Sequence, residues 1–135
     1  MLERLFHGFL TKSRVSSEEV VFGTVYAGER TSDGLKVAIK ELSVSKVLDF
    51  SILGGRSVPL ELRLLYFCQS VPGVVRLVDY YHRGDSFLYI VERPPNSQDL
   101  FDFISQRKTL GEELARKFFK QVVETAVTCY LKGVV

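Results

Sequence analysis

Apolar residues recur along the chain with two different periods, and the change of period marks the elements. Val20 to Gly28 alternates in part and is rich in β-formers, which predicts a strand. Leu35 to Glu41 predicts a second, and Asp33-Gly34 between them is a hairpin signal. From Ser43 to Gly55 the pattern weakens. Val47, Leu48, Phe50 and Ile52 suggest a short helix or an apolar loop, broken by Gly54-Gly55. Helical spacing returns after Pro59, with Ser57 as the expected cap, and runs to about Gln69 before Pro72-Gly73. Val74 to Tyr81 and Ser86 to Glu92 predict strands joined by His82-Arg83-Gly84-Asp85. Pro94 and Pro95 make Arg93 to Ser97 a connector, because two successive backbone donors are missing. A short helix is expected from Asp99 to about Ser105. A last one follows a Thr109/Glu112 capping box and ends at Lys132, with Gly133 as its C-terminal cap. That helix has apolar residues around more than one face, as a surrounded helix does. Residues 1–19 follow neither period, although Ser13 to Ser17 has room for a damaged strand; a divergent or poorly ordered terminus is expected.

The most informative run is Val37-Ala38-Ile39-Lys40. Alternation puts Ala38 and Lys40 on one face and Val37 and Ile39 on the other. A strand so apolar is expected to be covered on both faces, and an ammonium there needs an anionic partner. In Pro59 to Cys68, helical spacing sets Glu61 on one stripe with Leu64, Leu65 and Cys68. A carboxylate on an apolar stripe wants a cation, and Lys40 is the candidate. The alternatives are an ion pair with no ligand, or a lysine that snorkels to solvent.

These residues resemble the third-strand lysine and helix C glutamate of protein kinases. Asp85-Ser86-Phe87, Glu92-Arg93-Pro94, Gln98 to Ile104 and Glu112 to Arg116 are similar to the PIM serine/threonine kinases in particular. The resemblance spans residues 20 to 135. It implies an α+β fold: a kinase-like small lobe over 20–92 with an antiparallel sheet of about five strands and helix C, a hinge over 93–98, and two large-lobe helices over 99–135. It also implies ATP and magnesium as cofactors and proteins as substrates. Lys40 would hold phosphate and Glu61 would orient it. Val25 and Ala38 would cover adenine, Val91 would be the gatekeeper, and Glu92 would begin the hinge. Asp99 and Asp102 match acidic positions that face ribose or basic substrate in the family. By themselves they are favourable charges in a first helical turn. Val25 and Ala38 by themselves are core residues.

Two departures qualify the resemblance. Of the family's Gly-x-Gly-x-x-Gly only Gly23 remains, with Glu18 and Val20 where the first two glycines belong. A Cβ or a carboxylate there opposes close backbone approach to phosphate, so nucleotide binding by this chain is expected to be weakened. In another register Glu18 and Val20 are ordinary loop and strand residues. The family also continues after Gly133-Val134-Val135 into His-Arg-Asp and Asp-Phe-Gly, which carry the catalytic aspartate and metal ligands. The expectation is therefore a truncated kinase with no catalytic residues and no metal site of its own, inactive alone. The alternative is a pseudokinase or interaction fragment that uses its last helix for self-association or chaperone binding.

Composition narrows little further. At 135 residues and 46% hydrophobic the chain is sized as one globular domain. A net charge of +2 argues against nucleic acid or membrane as partner. No apolar run reaches a membrane span, and residues 1–10 are too charged for a signal peptide. The expected compartment is the cytoplasm, with the nucleus as the other choice. His7 and His82 do not cluster, which argues against zinc. Cys68 and Cys129 lie far apart in sequence within apolar helical stretches, favouring free buried thiols over a disulfide.

Overall fold

A computed structural model describes residues 4–6, 8–14 and 23–134. Eight strands and three helices run in the order β1 (Arg4–Phe6), β2 (Phe9–Arg14), β3 (Thr24–Arg30), β4 (Lys36–Ser43), β5 (Phe50–Leu53), β6 (Arg56–Pro59), α1 (Leu60–Cys68), β7 (Leu77–Arg83), β8 (Ser86–Glu92), α2 (Leu100–Arg107) and α3 (Glu112–Leu131). Six strands form one antiparallel sheet in the order β1-β2-β3-β4-β8-β7. The α+β architecture holds, with six strands in place of about five. The extra strand lies in the N-terminal stretch where no period was legible: β2 pairs with β3, and β1 with β2.

The sheet is buried on both faces, as the apolar run through Lys40 requires. Val37 and Ile39 are fully buried with Phe9, Leu88 and Ile90 on one face. On the other, Leu42, Phe87 and Tyr89 pack with Leu53, Val58 and Leu62 beneath α1 and the β5–β6 ribbon. Two strict alternations, 37/39 and 88/90, therefore decide which side chains face α1.

Asp33-Gly34 does close the β3–β4 hairpin: Gly34 has φ 74°, and Asp33 accepts from Leu35 N at 3.1 Å and pairs with Arg30. That guanidinium holds the Asp33 carboxyl down at about 2. Of the short helix or loop expected over 43–55, a 3-10 turn at Val44–Lys46 and a loop to Asp49 are present; from Phe50 the chain instead forms a separate hairpin, β5–β6, turned by Gly54-Gly55 in left-handed conformation. Ser57 lies inside β6 and caps nothing; Pro59 precedes α1 instead. The Thr109/Glu112 capping box does not form either, because α3 starts at Glu112 after Gly111 and has no side-chain cap. Gly133 does terminate α3. It takes φ 84° and donates to Tyr130 O at 2.9 Å while Val134 donates to Cys129 O at 3.1 Å, the paired bonds of a left-handed helix stop.

Only one stripe of α3 is covered: Leu114, Phe118, Thr125 and Cys129 are half-buried. Phe119, Val122, Val127, Tyr130 and Leu131 are exposed. Among the described residues no helix is long and apolar enough to cross a membrane.

Candidate functional site

β3, β4 and β8 lie side by side, and their register assembles the site. Val25 pairs with Lys40 and Lys40 with Tyr89; two residues along, Ala27 pairs with Ala38 and Ala38 with Val91. Directly opposed residues share a face. Val25, Ala38, Lys40 and Val91 therefore project from the face on which α1 packs. Four of the expected adenine and phosphate positions come together through strand register alone.

The Lys40 ammonium donates to Glu61 Oε1 at 2.6 Å, joining β4 to the first turn of α1. The helix can present that carboxylate because Leu62, next to it, is fully buried against the sheet and fixes the helix rotation. The pair is not enclosed, however. The Lys40 side chain is 23% exposed and that of Glu61 55%. The expected pairing of Lys40 with Glu61 thus forms, with the carboxylate at the open end of its stripe and more than half exposed. An apolar cleft of about 310 Å³ opens beside it, lined by Leu42, Val47, Leu60 and Leu64.

Tyr89 is the residue that sequence reasoning missed. Its ring lies 5.7 Å from the Lys40 ammonium, a cation–π arrangement. Its hydroxyl is buried with no hydrogen-bond partner among the described residues. Burial, with Glu61 nearby, pushes the phenol well above its ordinary range. Alternation from Phe87 would have placed it beside Lys40, but nothing local distinguished it from a core aromatic. Tyr81, on β7, is likewise pushed up to about 12 by burial and by its bond to Asp79.

Gly23 stands at the start of β3 with φ 136°, and a Cβ there would lie 2.3 Å from the Glu41 carbonyl oxygen. Glu18 and Val20 lie outside the described residues. Glu92 ends β8; its carboxylate is held below the usual carboxylate range by the Arg76 guanidinium. Arg93 N donates to Lys36 O at 3.1 Å, so the connector leaves the sheet beside β4. Asp99 and Asp102 belong to α2, beyond the connector. Asp99 caps α2, accepting from Phe101 N at 2.7 Å, and Asp102 lies in its first turn; both are exposed. Among the described residues no three His, Cys, Asp or Glu side chains come together as metal ligands would.

Residues 20–135 match the family model described as the protein kinase domain. The chain is 44% identical over 124 residues to the serine/threonine-protein kinase pim-2 of Danio rerio, covering 84% of this chain and 40% of that protein. It is 39% identical over 108 residues to the serine/threonine-protein kinase prk-2 of Caenorhabditis elegans, covering 80% and 24%. Carbon catabolite-derepressing protein kinase of Saccharomyces cerevisiae is 32% identical over 114 residues, covering 84% and 17%. The chain thus spans less than half the length of these relatives.

Proposed function

Since the chain belongs to the protein kinase family and is PIM-like within it, we propose that it supplies the small-lobe side of a nucleotide cleft for ATP-dependent phosphorylation of Ser or Thr hydroxyls. The observation that carries this is the Lys40–Glu61 pair at 2.6 Å, beside a face that also bears Val25, Ala38 and Val91. The ammonium would engage the α- and β-phosphates, and Glu61 would hold it in place. The three small apolar side chains would cover the base, and Glu92 would begin the strand-to-connector edge beside it. ATP would supply the transferred phosphoryl group.

Phosphoryl transfer also needs metal ligands and a residue to orient the hydroxyl. These 135 residues contain neither His-Arg-Asp nor Asp-Phe-Gly, so on this reading they would contribute one wall of the nucleotide site without completing the reaction. On this reading residues 20–92 are the small lobe, 93–98 the hinge and 99–135 the first large-lobe helices. Asp99 has a helix-capping role in hand and Asp102 a favourable place in the first turn of α2; a ribose or substrate contact would be additional.

The test is thermal denaturation with Mg-ATP. The unaltered chain should shift little, because Glu18 and Val20 replace loop glycines. A Glu18→Gly/Val20→Gly variant should shift clearly, and Lys40→Ala should abolish that shift. No shift in the glycine-restored variant would remove nucleotide binding from the proposal. A clear shift in the unaltered chain, lost on Lys40→Ala, would overturn the role given to the loop.

A second reading, association with another copy through α3, is favoured by the exposed stripe Phe119, Val122, Val127, Tyr130 and Leu131.

A further inference from the structure

Cys68 and Cys129 are 61 positions apart in sequence, and the fold brings the segments that carry them together. Cys68 closes the last turn of α1 and is buried; Cys129 lies near the end of α3 and is half-buried. Thr125 and Cys129 on α3 and Lys132 at its C-terminal cap, spaced four and three residues apart, form one stripe. Both ends of that stripe are tied to the segment that follows Cys68. Thr125 Oγ1 donates to Pro72 O at 3.2 Å, and Lys132 Nζ donates to Ser70 Oγ at 2.6 Å. Gly73 approaches Thr125 so closely that a Cβ would meet its hydroxyl at 2.3 Å. Cys129, between the two ties, therefore faces the segment that begins at Cys68, close enough for its thiol to influence that of Cys68.

We propose that Cys68 and Cys129 form a reversible intrachain disulfide, a peroxide-sensitive modification site that locks α1 to α3. It does not depend on the kinase reading, although α1 is also the helix that carries Glu61.

The flanking bonds already hold the end of α3 against the segment that leaves α1, so closure is a local adjustment of the two cysteines toward disulfide geometry. Cys129 is the more accessible and meets peroxide first. Its thiolate attacks one peroxide oxygen, the O–O bond breaks, and water leaves, giving a sulfenic acid on Cys129. The Cys68 thiolate then attacks that sulfur; the S–S bond forms, the S–O bond breaks, and a second water leaves. Two thiols lose two electrons and two protons, and hydrogen peroxide becomes two waters. Burial and the neighbouring Cys129 thiol push the Cys68 thiol up, while the Lys132 ammonium pulls the other way. Reaction is therefore slower than for an exposed low-pKa cysteine, and the bridge forms under sustained oxidation.

The experiment takes the reduced 135-residue chain at low concentration, adds hydrogen peroxide, and reads intact mass and free thiols without reductant. The expected result is a monomer lighter by two hydrogens, with no free thiol and one tryptic peptide joining Cys68 to Cys129. Dithiothreitol should restore the thiols and lower the melting temperature to its starting value. Cys68→Ser should stall at a dimedone-trappable sulfenic acid on Cys129 that does not accumulate in the unaltered chain. Interchain disulfides alone would overturn the proposal, as would sulfinic acid on Cys129 beside an intact Cys68 thiol.

Discussion

Replacing Lys40 with Met and Glu61 with Gln, singly and together, measures what the pair contributes. At 2.6 Å two unit charges in a water-like dielectric attract by about 1.6 kcal/mol, and by several-fold more where the surroundings are dry. The exposure decides between these limits. With the carboxylate 55% exposed and the lysine 23% exposed, water reaches the pair, so the lower figure applies. Ordering two long side chains subtracts from it, leaving a coupling of roughly 0.5–1 kcal/mol. The Tyr89 ring at 5.7 Å lies near the outer limit for a cation–π contact and contributes about 0.5 kcal/mol more to the lysine alone. Met keeps the buried stem of Lys40, so packing loss does not mask the electrostatic effect.

Urea unfolding of the four proteins gives the coupling as the departure from additivity. It should also shrink as salt is raised, because a half-exposed pair is screened. A fully buried pair would instead lose about 3–5 kcal/mol when one partner is removed. A coupling of that size, insensitive to salt, would refute the reasoning: the carboxylate would then be enclosed in solution by something the exposure does not register.

Tyr89→Phe removes a buried hydroxyl that has no partner among the described residues while keeping the ring under Lys40. Stability in urea should rise by about 1 kcal/mol, since an unsatisfied buried hydroxyl costs roughly 1–3 kcal/mol; a fall would reveal a hydrogen bond to that oxygen. For α3, light scattering of the concentrated chain should show a mass above that of the monomer, returning to monomer in Val127→Glu/Leu131→Glu, whose side chains are exposed. A monodisperse monomer at every concentration would end the self-association reading.

The elements with uninterrupted local patterns were legible in advance: β4 and β8 from their alternation, the hairpin from Asp33-Gly34, the end of α3 from Gly133. The errors arose where apolar residues do not face the core. In β5, Phe50 and Ile52 are exposed and Leu53 is buried, so the visible hydrophobics are those of the wrong face and no clean period of two emerges. β1 and β2 lie at one side of the sheet and are partly short, with β1 only three residues long, too few to establish any repeat. The capping box at Thr109 failed because a motif shows a cap is available, not that the chain enters the helix there. In the candidate site, Lys40 and Glu61 were legible as partners because each is anomalous in its own apolar run. Their exposure was not, since it depends on the rotation of α1 about buried Leu62. The Tyr89 ring against the Lys40 ammonium was not singled out, because its place depends on the pairing of β8 with β4, which neither strand's own pattern specifies.

Gly23 and Lys40 both belong to the kinase pattern, yet the structure accounts for them in opposite ways. Gly23 takes a backbone conformation that side chains rarely adopt, and a Cβ would press to 2.3 Å of the Glu41 carbonyl oxygen. Pairing between β3 and β4 therefore requires glycine there whether or not phosphate ever approaches. Its persistence carries no information about nucleotide. Lys40 is the reverse. An apolar side chain at that position, flanked by Val25 and Tyr89 across the sheet, would bury stem and tip alike and gain about 0.8 kcal/mol for each methylene removed from water. The lysine forgoes part of that for an ion pair of comparable or smaller value. Fold stability explains the glycine and leaves the lysine unexplained. A cation held against Glu61 beside Val25, Ala38 and Val91 is the feature of this chain that packing does not account for, and the one on which the proposed nucleotide role rests.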